Sequence, residues 1–214
     1  MTTIIILVIR YGKEGIIISD THNQHHMLNN LPEADIIVHS GDVSLAGTGQ
    51  EVVDFIDWFS ALDYKYKIFI AGNHDNCLEG KGTEILKRYL PENCYYLYNS
   101  GVMIENINFW GIPFFFSPEE EFSSYNKTID MIPDVTDILI THRPPLGVLD
   151  NAKNISYGCP DLLLKVLDIR PSYHLFGHVH DAYGIEKSNH TIFANAAIVD
   201  ENYFLLNEPF VFEI

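Results

Sequence analysis

Five short apolar runs of this sequence each end in polar residues whose side chains could bind a metal ion or transfer a proton. Imidazole nitrogens together with carboxylate and amide oxygens suit divalent cations such as Mn, Fe or Zn, and the lack of thiolates argues against a structural zinc site. The set is large enough for two cations that share one carboxylate. Its members are Asp20, His22, Asp42, Asn73, His74, Asp75, His142, His178 and His180.

The apolar runs are the elements that must position these side chains. Short continuous apolar runs are typical of strands that are covered on both faces. In an open α/β sheet, functional groups collect beyond the carboxyl ends of the strands, so we expect the polar residues to meet at one edge. The runs are Ile16–Ile18, Ile36–Val38, Ile68–Ile70, Ile138–Ile140 and Leu175–Phe176.

Helical patterns lie between the strands. The spacing of Thr48 and Glu51 predicts a capping box at the start of one helix, and residues 83–90 and 160–169 are predicted as two more. The early chain therefore alternates strands and helices, as in a sheet with helices on its faces. The buried side of the last helix is expected to carry Leu162, Leu163, Val166 and Leu167.

Short apolar runs separated by turn residues dominate the last third of the chain. They predict a second sheet that is more antiparallel than the first. At the other end, residues 4–15 predict a hairpin that leads into the first core strand. The runs of the last third are Tyr183–Ile185, Thr191–Ala194, Tyr203–Leu206 and Phe210–Phe212.

The order of the polar motifs, Asp-x-His, Gly-Asp, Gly-Asn-His-Asp, His and Gly-His-x-His, resembles the calcineurin-like metallophosphoesterase superfamily. The segments around them, among them 110–113, 136–147 and 177–184, resemble its metallophosphoesterase-domain (MPPED) branch, which is similar to class III cyclic-nucleotide phosphodiesterases. The resemblance extends from about Ile16 to Ala197, which is most of the chain.

The resemblance implies a fold and a cofactor. The fold is an α/β protein, a four-layer α/β/β/α sandwich of two mixed sheets with flanking helices, expected as a single domain over residues 1–214. The cofactor is a pair of divalent metal ions, Mn, Fe or Zn, with Mn favoured in vitro. The first metal is expected on Asp20, His22, Asp42 and His180. The second is expected on Asp42, Asn73, His142 and His178, so that Asp42 bridges the two.

The resemblance also implies roles for residues beside the metals. His74 would face the substrate and protonate the leaving oxygen, and Asp75 would orient His74 and support its cationic form. Some animal members carry Gly where this chain has His178, which predicts two bound metals here. Arg143 stands where relatives often have Gly, and it could clamp a substrate phosphate, although an exposed loop position is its plainer interpretation.

These residues and the resemblance together favour a binuclear metal-dependent phosphodiesterase that acts on a small substrate, with a cyclic nucleotide as one candidate, by in-line attack of a metal-bridging hydroxide. A phosphomonoesterase or protein phosphatase is the alternative, since it would also use metal ions to hydrolyse a phosphate ester. A nuclease is a further possibility that the charge disfavours. A non-catalytic scaffold that keeps the fold and binds a partner belongs to a different class, but every expected ligand is present.

Composition limits the partners. The 214 residues include 29 acidic and 13 basic side chains, for a formal net charge of -16. Such a charge argues against duplex nucleic acid and an anionic membrane surface, but bound cations would still allow a small phosphorylated substrate. The three cysteines form no paired motif, and no signal peptide or long apolar stretch is evident. We therefore expect a soluble cytoplasmic protein.

The remaining histidines and aromatic residues are given structural interpretations first. His39 and His174 lie in or beside core strands, where hydrogen bonding is the expected role, and His25 and His26 are expected on the surface. One or two of the aromatic residues between positions 114 and 125 could stack on a nucleobase at the rim of the site.

Overall fold

A computed structural model of the chain describes residues 12–115 and 123–213. The described residues form two large sheets, one small hairpin and four α-helices. The helices are α1 (Gly49–Ala61), α2 (Thr83–Leu86), α3 (Ser123–Asp130) and α4 (Pro160–Ile169). The strands are β1 (Glu14–Ile18), β2 (Ile36–His39), β3 (Tyr66–Phe69), β4 (Cys94–Tyr96), β5 (Ser100–Ile104), β6 (Ile107–Ile112), β7 (Ile138–Thr141), β8 (Asn151–Ala152), β9 (Ile155–Ser156), β10 (Tyr173–Phe176), β11 (Gly184–Lys187), β12 (Ile192–Asn195) and β13 (Phe210–Glu213).

The first sheet has the strand order β13-β1-β2-β3-β4. Strands β1 to β4 are parallel, with Ile17 paired to Val38 and Val38 paired to Ile68. Strand β13 adds an antiparallel edge beside β1. The carboxyl ends of β1, β2 and β3 therefore lie side by side at one edge of this sheet.

The second sheet has the order β11-β12-β10-β7-β6-β5. Its four central strands are parallel, and β11 and β5 close the two edges as antiparallel strands. Backbone contacts link the two sheets, among them a parallel bridge between Ser19 and Ala197 and a hydrogen bond from the Phe114 N–H to the Ala71 carbonyl. These links bring the carboxyl ends of β7 and β10 toward those of β1 and β2.

Apolar side chains fill the space between the sheets and beneath the helices. Ile17, Val38 and Ile68 of the first sheet share a buried cluster with Ile140 and Leu175 of the second. The outer face of the first sheet packs on α1 and the outer face of the second packs on α3 and α4. The four-layer α/β/β/α sandwich of two mixed sheets that the sequence predicted is confirmed.

The capping box of α1 is also confirmed. The Thr48 hydroxyl accepts the Glu51 N–H at 3.2 Å, and the Glu51 carboxylate accepts the Thr48 N–H at 3.0 Å. The second predicted helix is shorter than expected. Only α2 is helical in this segment. The chain then forms a turn, in which the Tyr89 N–H donates to the Leu86 carbonyl, before it reaches Pro91.

Two predictions for the second half of the chain were wrong in part. Leu167 of α4 is 56 % exposed, because the buried stripe runs through Leu162 and Val166, a spacing of one helical turn. Residues 203–206 do not form a strand, since the Asp200 carboxylate accepts the Phe204 N–H at 2.8 Å and holds a turn there.

The sheet predicted for the last third is divided between the two sheets of the structure. Strands β11 and β12 do join the second sheet, but β12 is parallel to β10, and β13 belongs to the first sheet. The amino-terminal strand of the predicted hairpin, residues 4–11, lies outside the described residues. In the part of the chain that is described, no helix combines the length and the apolar character needed to cross a membrane.

Candidate metal centre

The predicted ligands lie at the carboxyl ends of five parallel strands from both sheets. Asp20 and His22 follow β1, Asp42 follows β2, and Asn73 follows β3. The second sheet supplies the others from the ends of β7 and β10, namely His142, His178 and His180. Backbone hydrogen bonds join these loops directly, because the Asp20 N–H donates to the Gly41 carbonyl and the Gly177 N–H donates to the His142 carbonyl.

Three of the residues predicted for the first metal converge closely. Potential ligand atoms of Asp20, His22 and His180 all lie within 4.8 Å of one another. The Nε2 atoms of His22 and His180 are 3.2 Å apart, and His180 Nε2 is 3.4 Å from Asp20 Oδ1.

The residues predicted for the second metal lie next to this group. His142 Nε2 is 3.1 Å from Asn73 Oδ1 and 3.3 Å from Asp42 Oδ2. The same Asp42 oxygen is 3.7 Å from His22 Nε2, so its carboxylate lies between the two groups. This position is the one that a bridging ligand requires.

His178 takes part in the site through both its backbone and its ring. Its N–H donates to both Asp20 carboxylate oxygens, at 3.1 and 3.0 Å. Its ring centroid lies 5.1 Å from that of His142, with an edge-to-face arrangement. The structure therefore places all seven predicted metal ligands around one centre, while their division between two ions stays a prediction.

The tautomers of three histidines show that this centre suits cations. The Nδ1 atoms of His22, His142 and His180 contact the backbone carbonyls of residues 44, 40 and 200, at 3.3, 2.9 and 3.0 Å. A carbonyl only accepts, so each Nδ1 carries a proton, and Nε2 is the atom that each ring directs toward the centre and that would offer a lone pair to a cation. Such a partner behind the ring is typical of histidines that bind metals.

The contact between His22 and His180 strengthens this inference. Two Nε2 lone pairs that face each other at 3.2 Å repel unless a proton or a metal ion lies between them. The buried carboxylates Asp20 and Asp42 have no Lys or Arg partner among the described residues, and their ion-pair partners there are histidines. Buried anions need compensating cations, so the donor set fits the divalent ions that the sequence predicted.

The charged side chains of the centre shift one another's pKa values strongly. Burial raises the pKa of Asp42, but the imidazole of His142 beside it outweighs burial, and the pKa is lowered to about 2. Burial lowers the pKa of His142, yet the carboxylate of Asp42 raises it to about 9. Burial lowers the pKa of His22 and of His178 to about 4, so both rings are neutral near pH 7 and available as ligands.

The backbone of the centre is strained. Asp20, His22, Asp42 and His178 have φ values of 55°, 42°, 56° and 72°, in the left-handed region that non-glycine residues rarely adopt. Each such residue costs on the order of 1 kcal/mol or more and persists only where surrounding contacts enforce it. Four of the seven predicted ligands share this feature, which is typical of functional sites.

Glycines in the motifs make room for the ligands. A Cβ on Gly72 would collide with the carboxylate and backbone nitrogen of Asp42, and one on Gly177 would collide with the carboxylate of Asp20 and the Ser19 side chain. The glycines of Gly-Asn-His-Asp and Gly-His-x-His are therefore required by close approach to a ligand from another strand.

We expect Gly177→Ala to lower the free energy of unfolding by about 1–3 kcal/mol, because the added methyl group overpacks a buried contact. The Asp20 carboxylate must move to relieve the collision, so bound metal should fall as well. Chemical denaturation and elemental analysis measure the two effects. Gly184→Ala is the matched control, since its Cβ would meet nothing nearer than 3.5 Å. Equal stability and metal content in the two variants would contradict this account.

His74 lies at the open side of the centre, and its surroundings differ from the prediction in one respect. Its Nδ1 donates to the Leu45 carbonyl at 2.8 Å, and its N–H donates to Asp42 Oδ1 at 2.8 Å. Its ring packs edge to face on His22, with centroids 4.7 Å apart. A potential ligand atom of His74 also groups with those of His22 and Asp42, although the sequence predicted no metal contact for it.

No hydrogen bond joins the Asp75 carboxylate to the His74 ring in the structure, so the orienting role predicted for Asp75 has no direct contact to support it and stays a prediction. Its buried carboxylate accepts the backbone N–H groups of Gly72, Val43 and Ser44 and the Ser44 hydroxyl, at 2.6 to 3.2 Å. Burial and the charge of Asp42 raise its pKa to about 6. Asp75 holds the loops after β2 and β3 together, and the Leu45 carbonyl orients His74.

Arg143 has one strong contact to the protein. Its Nε–H donates to the Tyr157 carbonyl at 2.8 Å, and its guanidinium lies 5.5 Å above the Phe114 ring. The phosphate clamp stays a prediction. Phe114 and Tyr125 are buried and pack on each other, so neither offers a face to a nucleobase, and Phe116 and Phe122 lie outside the described residues.

Two of the remaining histidines have the predicted core role. His39 Nε2 lies 3.0 Å from the Thr21 hydroxyl, and His174 Nε2 lies 2.9 Å from the Thr141 hydroxyl. Each therefore fixes the backbone next to a predicted ligand. The expectation of an exposed His25 was wrong, because its ring is buried against Phe55.

A cavity of about 320 Å³ opens over the centre. Besides the predicted site residues, its walls include Lys153, Tyr157, Glu201 and Tyr203, none of which the sequence pattern indicated. The Tyr203 ring packs on His22 and His180, with centroids 4.8 and 5.3 Å apart. Only the fold brings the loop after residue 200 to the site, and an isolated tyrosine gives no sequence signal.

A four-layer α/β sandwich with imidazole and carboxylate ligands at the strand ends defines the class of metallophosphoesterases. A sequence model of the family described as calcineurin-like phosphoesterase matches residues 16–182. This chain belongs to the calcineurin-like phosphoesterase family.

Named relatives agree with this assignment. A UPF0046 protein of Caenorhabditis elegans is 34 % identical, with 93 % of this chain and 74 % of the relative covered. Metallophosphoesterase domain-containing protein 1 of Homo sapiens is 32 % identical, with 93 % and 70 % covered. One solved crystal structure, at 14 % identity, covers 95 % of this chain and 99 % of its own with a TM-score of 0.64, which supports the fold alone.

Proposed function

We propose that this chain is a metal-dependent phosphodiesterase that hydrolyses a small phosphodiester, such as a cyclic nucleotide, with two divalent cations and Mn²⁺ as an effective activator. The observation that carries the proposal is the pair of opposed Nε2 atoms of His22 and His180 beside the carboxylate of Asp42, at the base of an open cavity. Cations held there would supply positive charge and an activated water for hydrolysis of a phosphate ester.

The residues around the centre have distinct tasks in this proposal. Asp20, Asp42 and the ligand histidines would hold the cations, and the burial of both carboxylates would keep bulk water from that side of the ions. His74 uses Nδ1 on the Leu45 carbonyl, which leaves Nε2 to pass a proton to the leaving oxygen. Arg143 lies over the Phe114 ring, which packs on His178, and in this proposal the guanidinium nitrogens that Tyr157 does not use would contact a phosphate oxygen.

A diester suits the cavity better than a monoester. Its volume of about 320 Å³ lies at the lower end of the range for small-molecule sites. Lys153 pairs with Glu201 at 3.2 Å, so Asp181 is the wall residue that adds negative charge, and it would repel a monoester dianion more than a diester with one charge. Ile155, Tyr157 and Tyr203 offer apolar surface to the organic groups of a diester.

The proposal extends to partners and location. The net charge of -16 disfavours duplex nucleic acid and anionic membranes, so a small phosphorylated molecule is the proposed partner. We place the protein in the cytoplasm, since its three cysteines are free thiols.

The test compares two chromogenic esters. Enzyme freed of metal by a chelator is resupplied with Mn²⁺ and assayed with bis-p-nitrophenyl phosphate and with p-nitrophenyl phosphate. Metal-dependent turnover that favours the diester is the expected result and justifies a screen of cyclic nucleotides. A preference for the monoester would replace the proposal with a phosphatase. Bound metal without turnover of either ester would favour a non-catalytic scaffold.

A further inference from the structure

A second group of potential metal ligands lies outside the centre described above. His25 and His26 belong to a short 3-10 helix, His25–Met27, and Asp54 lies on the neighbouring helix α1. The Nε2 atoms of both histidines are 3.1 Å from Asp54 Oδ2. Potential ligand atoms of the three residues all lie within 4.8 Å of one another.

We propose that His25, His26 and Asp54 form an additional binding site for a divalent cation of the zinc class. Tetrahedral zinc binds nitrogen and oxygen at about 2.0–2.2 Å, which places two ligand atoms about 3.4 Å apart. The nitrogen-to-oxygen distances of 3.1 Å are close to that spacing. Two imidazoles and one carboxylate leave a fourth position for water, as in open zinc sites.

The fold fixes two of the three ligands. The His25 ring is fully buried and packs on Phe55 and Trp58 of α1, with centroids 5.6 and 5.1 Å away. Asp54 precedes Phe55 on the same helix, so the packing that holds His25 also sets its distance to the carboxylate. His26 is the adjustable member, with a side chain that is 58 % exposed.

Charge around the group favours a cation. Asp54 pairs with no Lys or Arg in the part of the chain that the structure describes, and its ion-pair partners are the two histidines. Burial and the neighbouring His26 lower the pKa of His25, so its ring is neutral near pH 7 and can offer a lone pair. The acidic chain as a whole attracts cations.

The proposed site is weaker than the centre at the strand ends. Three histidines of that centre donate from Nδ1 to a backbone carbonyl, whereas Nδ1 of His25 is buried without a partner among the described residues. A missing partner behind a ligand histidine costs about 10–100-fold in metal affinity. The extra site should therefore fill last and empty first on dialysis.

The experiment counts zinc per chain by elemental analysis after dialysis against a graded series of buffered free Zn²⁺. The intact chain is compared with Asp54→Asn and His26→Ala, which change exposed positions. Circular dichroism verifies that each variant is folded. Asp57→Asn on α1 is the matched control, since it removes the same charge from the same helix without a potential ligand.

We expect the intact chain and Asp57→Asn to bind one more zinc ion than Asp54→Asn or His26→Ala, with an affinity about 10–100-fold below that of the preceding ion. Equal zinc content in all four proteins would overturn the proposal, and it would leave hydrogen bonding as the only role of the group. The difference of one ion is independent of phosphodiesterase activity, so the two proposals stand or fail separately.

Discussion

Replacing His74 with alanine is expected to lower kcat by about 10²–10⁴-fold, the usual effect of removing a general acid. The ring lies at the open side of the centre, where its Nδ1 is held by the Leu45 carbonyl. The backbone N–H of residue 74, which donates to Asp42 Oδ1, survives the change. Metal content should therefore be nearly unchanged while turnover falls.

The same variant tests the alternative role that the geometry offers to this residue. A potential ligand atom of His74 lies within 4.8 Å of those of His22 and Asp42, so it could bind a metal instead. Elemental analysis beside a rate measurement separates the two roles. His190→Ala, at an exposed turn, is the control. A variant that loses its metals along with its activity would show that the imidazole is a ligand.

The sequence was informative where the chemistry is local. A glycine precedes three of the predicted ligands, Asp42, Asn73 and His178. Gly72 and Gly177 are needed because a side chain there would collide with the carboxylate of Asp42 or of Asp20. Strand ends were equally predictable, because apolar runs buried on both faces cannot continue into charged residues. The convergence of the predicted ligands follows from these two features together with parallel pairing of the strands.

Contacts between residues that are distant in the chain could not be predicted from the sequence. Asp75 adjoins His74 in the chain, and this adjacency suggested a pair, yet the carboxylate turns to backbone N–H groups of three other residues. Buried N–H groups need acceptors wherever the loops meet, and only the tertiary structure shows which loops do so. Tyr203 entered the site for the same reason, since the turn at Asp200 is tied to His180.

Replacing Asp42 with asparagine is expected to remove metal from both positions. The Asp42 carboxylate has one oxygen between the two groups of histidines and one that accepts the His74 N–H at 2.8 Å. An asparagine that keeps this hydrogen bond must place its amide nitrogen where the other oxygen was. That nitrogen has no lone pair for a cation, and the negative charge between His22 and His142 is lost.

Elemental analysis after loading with Mn²⁺ measures the effect, with circular dichroism to verify folding. Asp181→Asn is the matched control, because it removes an exposed carboxylate from the wall of the same cavity. That control should keep its full metal content. If Asp42→Asn retains two metals, the bridging role is contradicted. If it loses a single metal, Asp42 binds at one position only. Since both groups of histidines face the same oxygen, the loss of both is what the geometry requires.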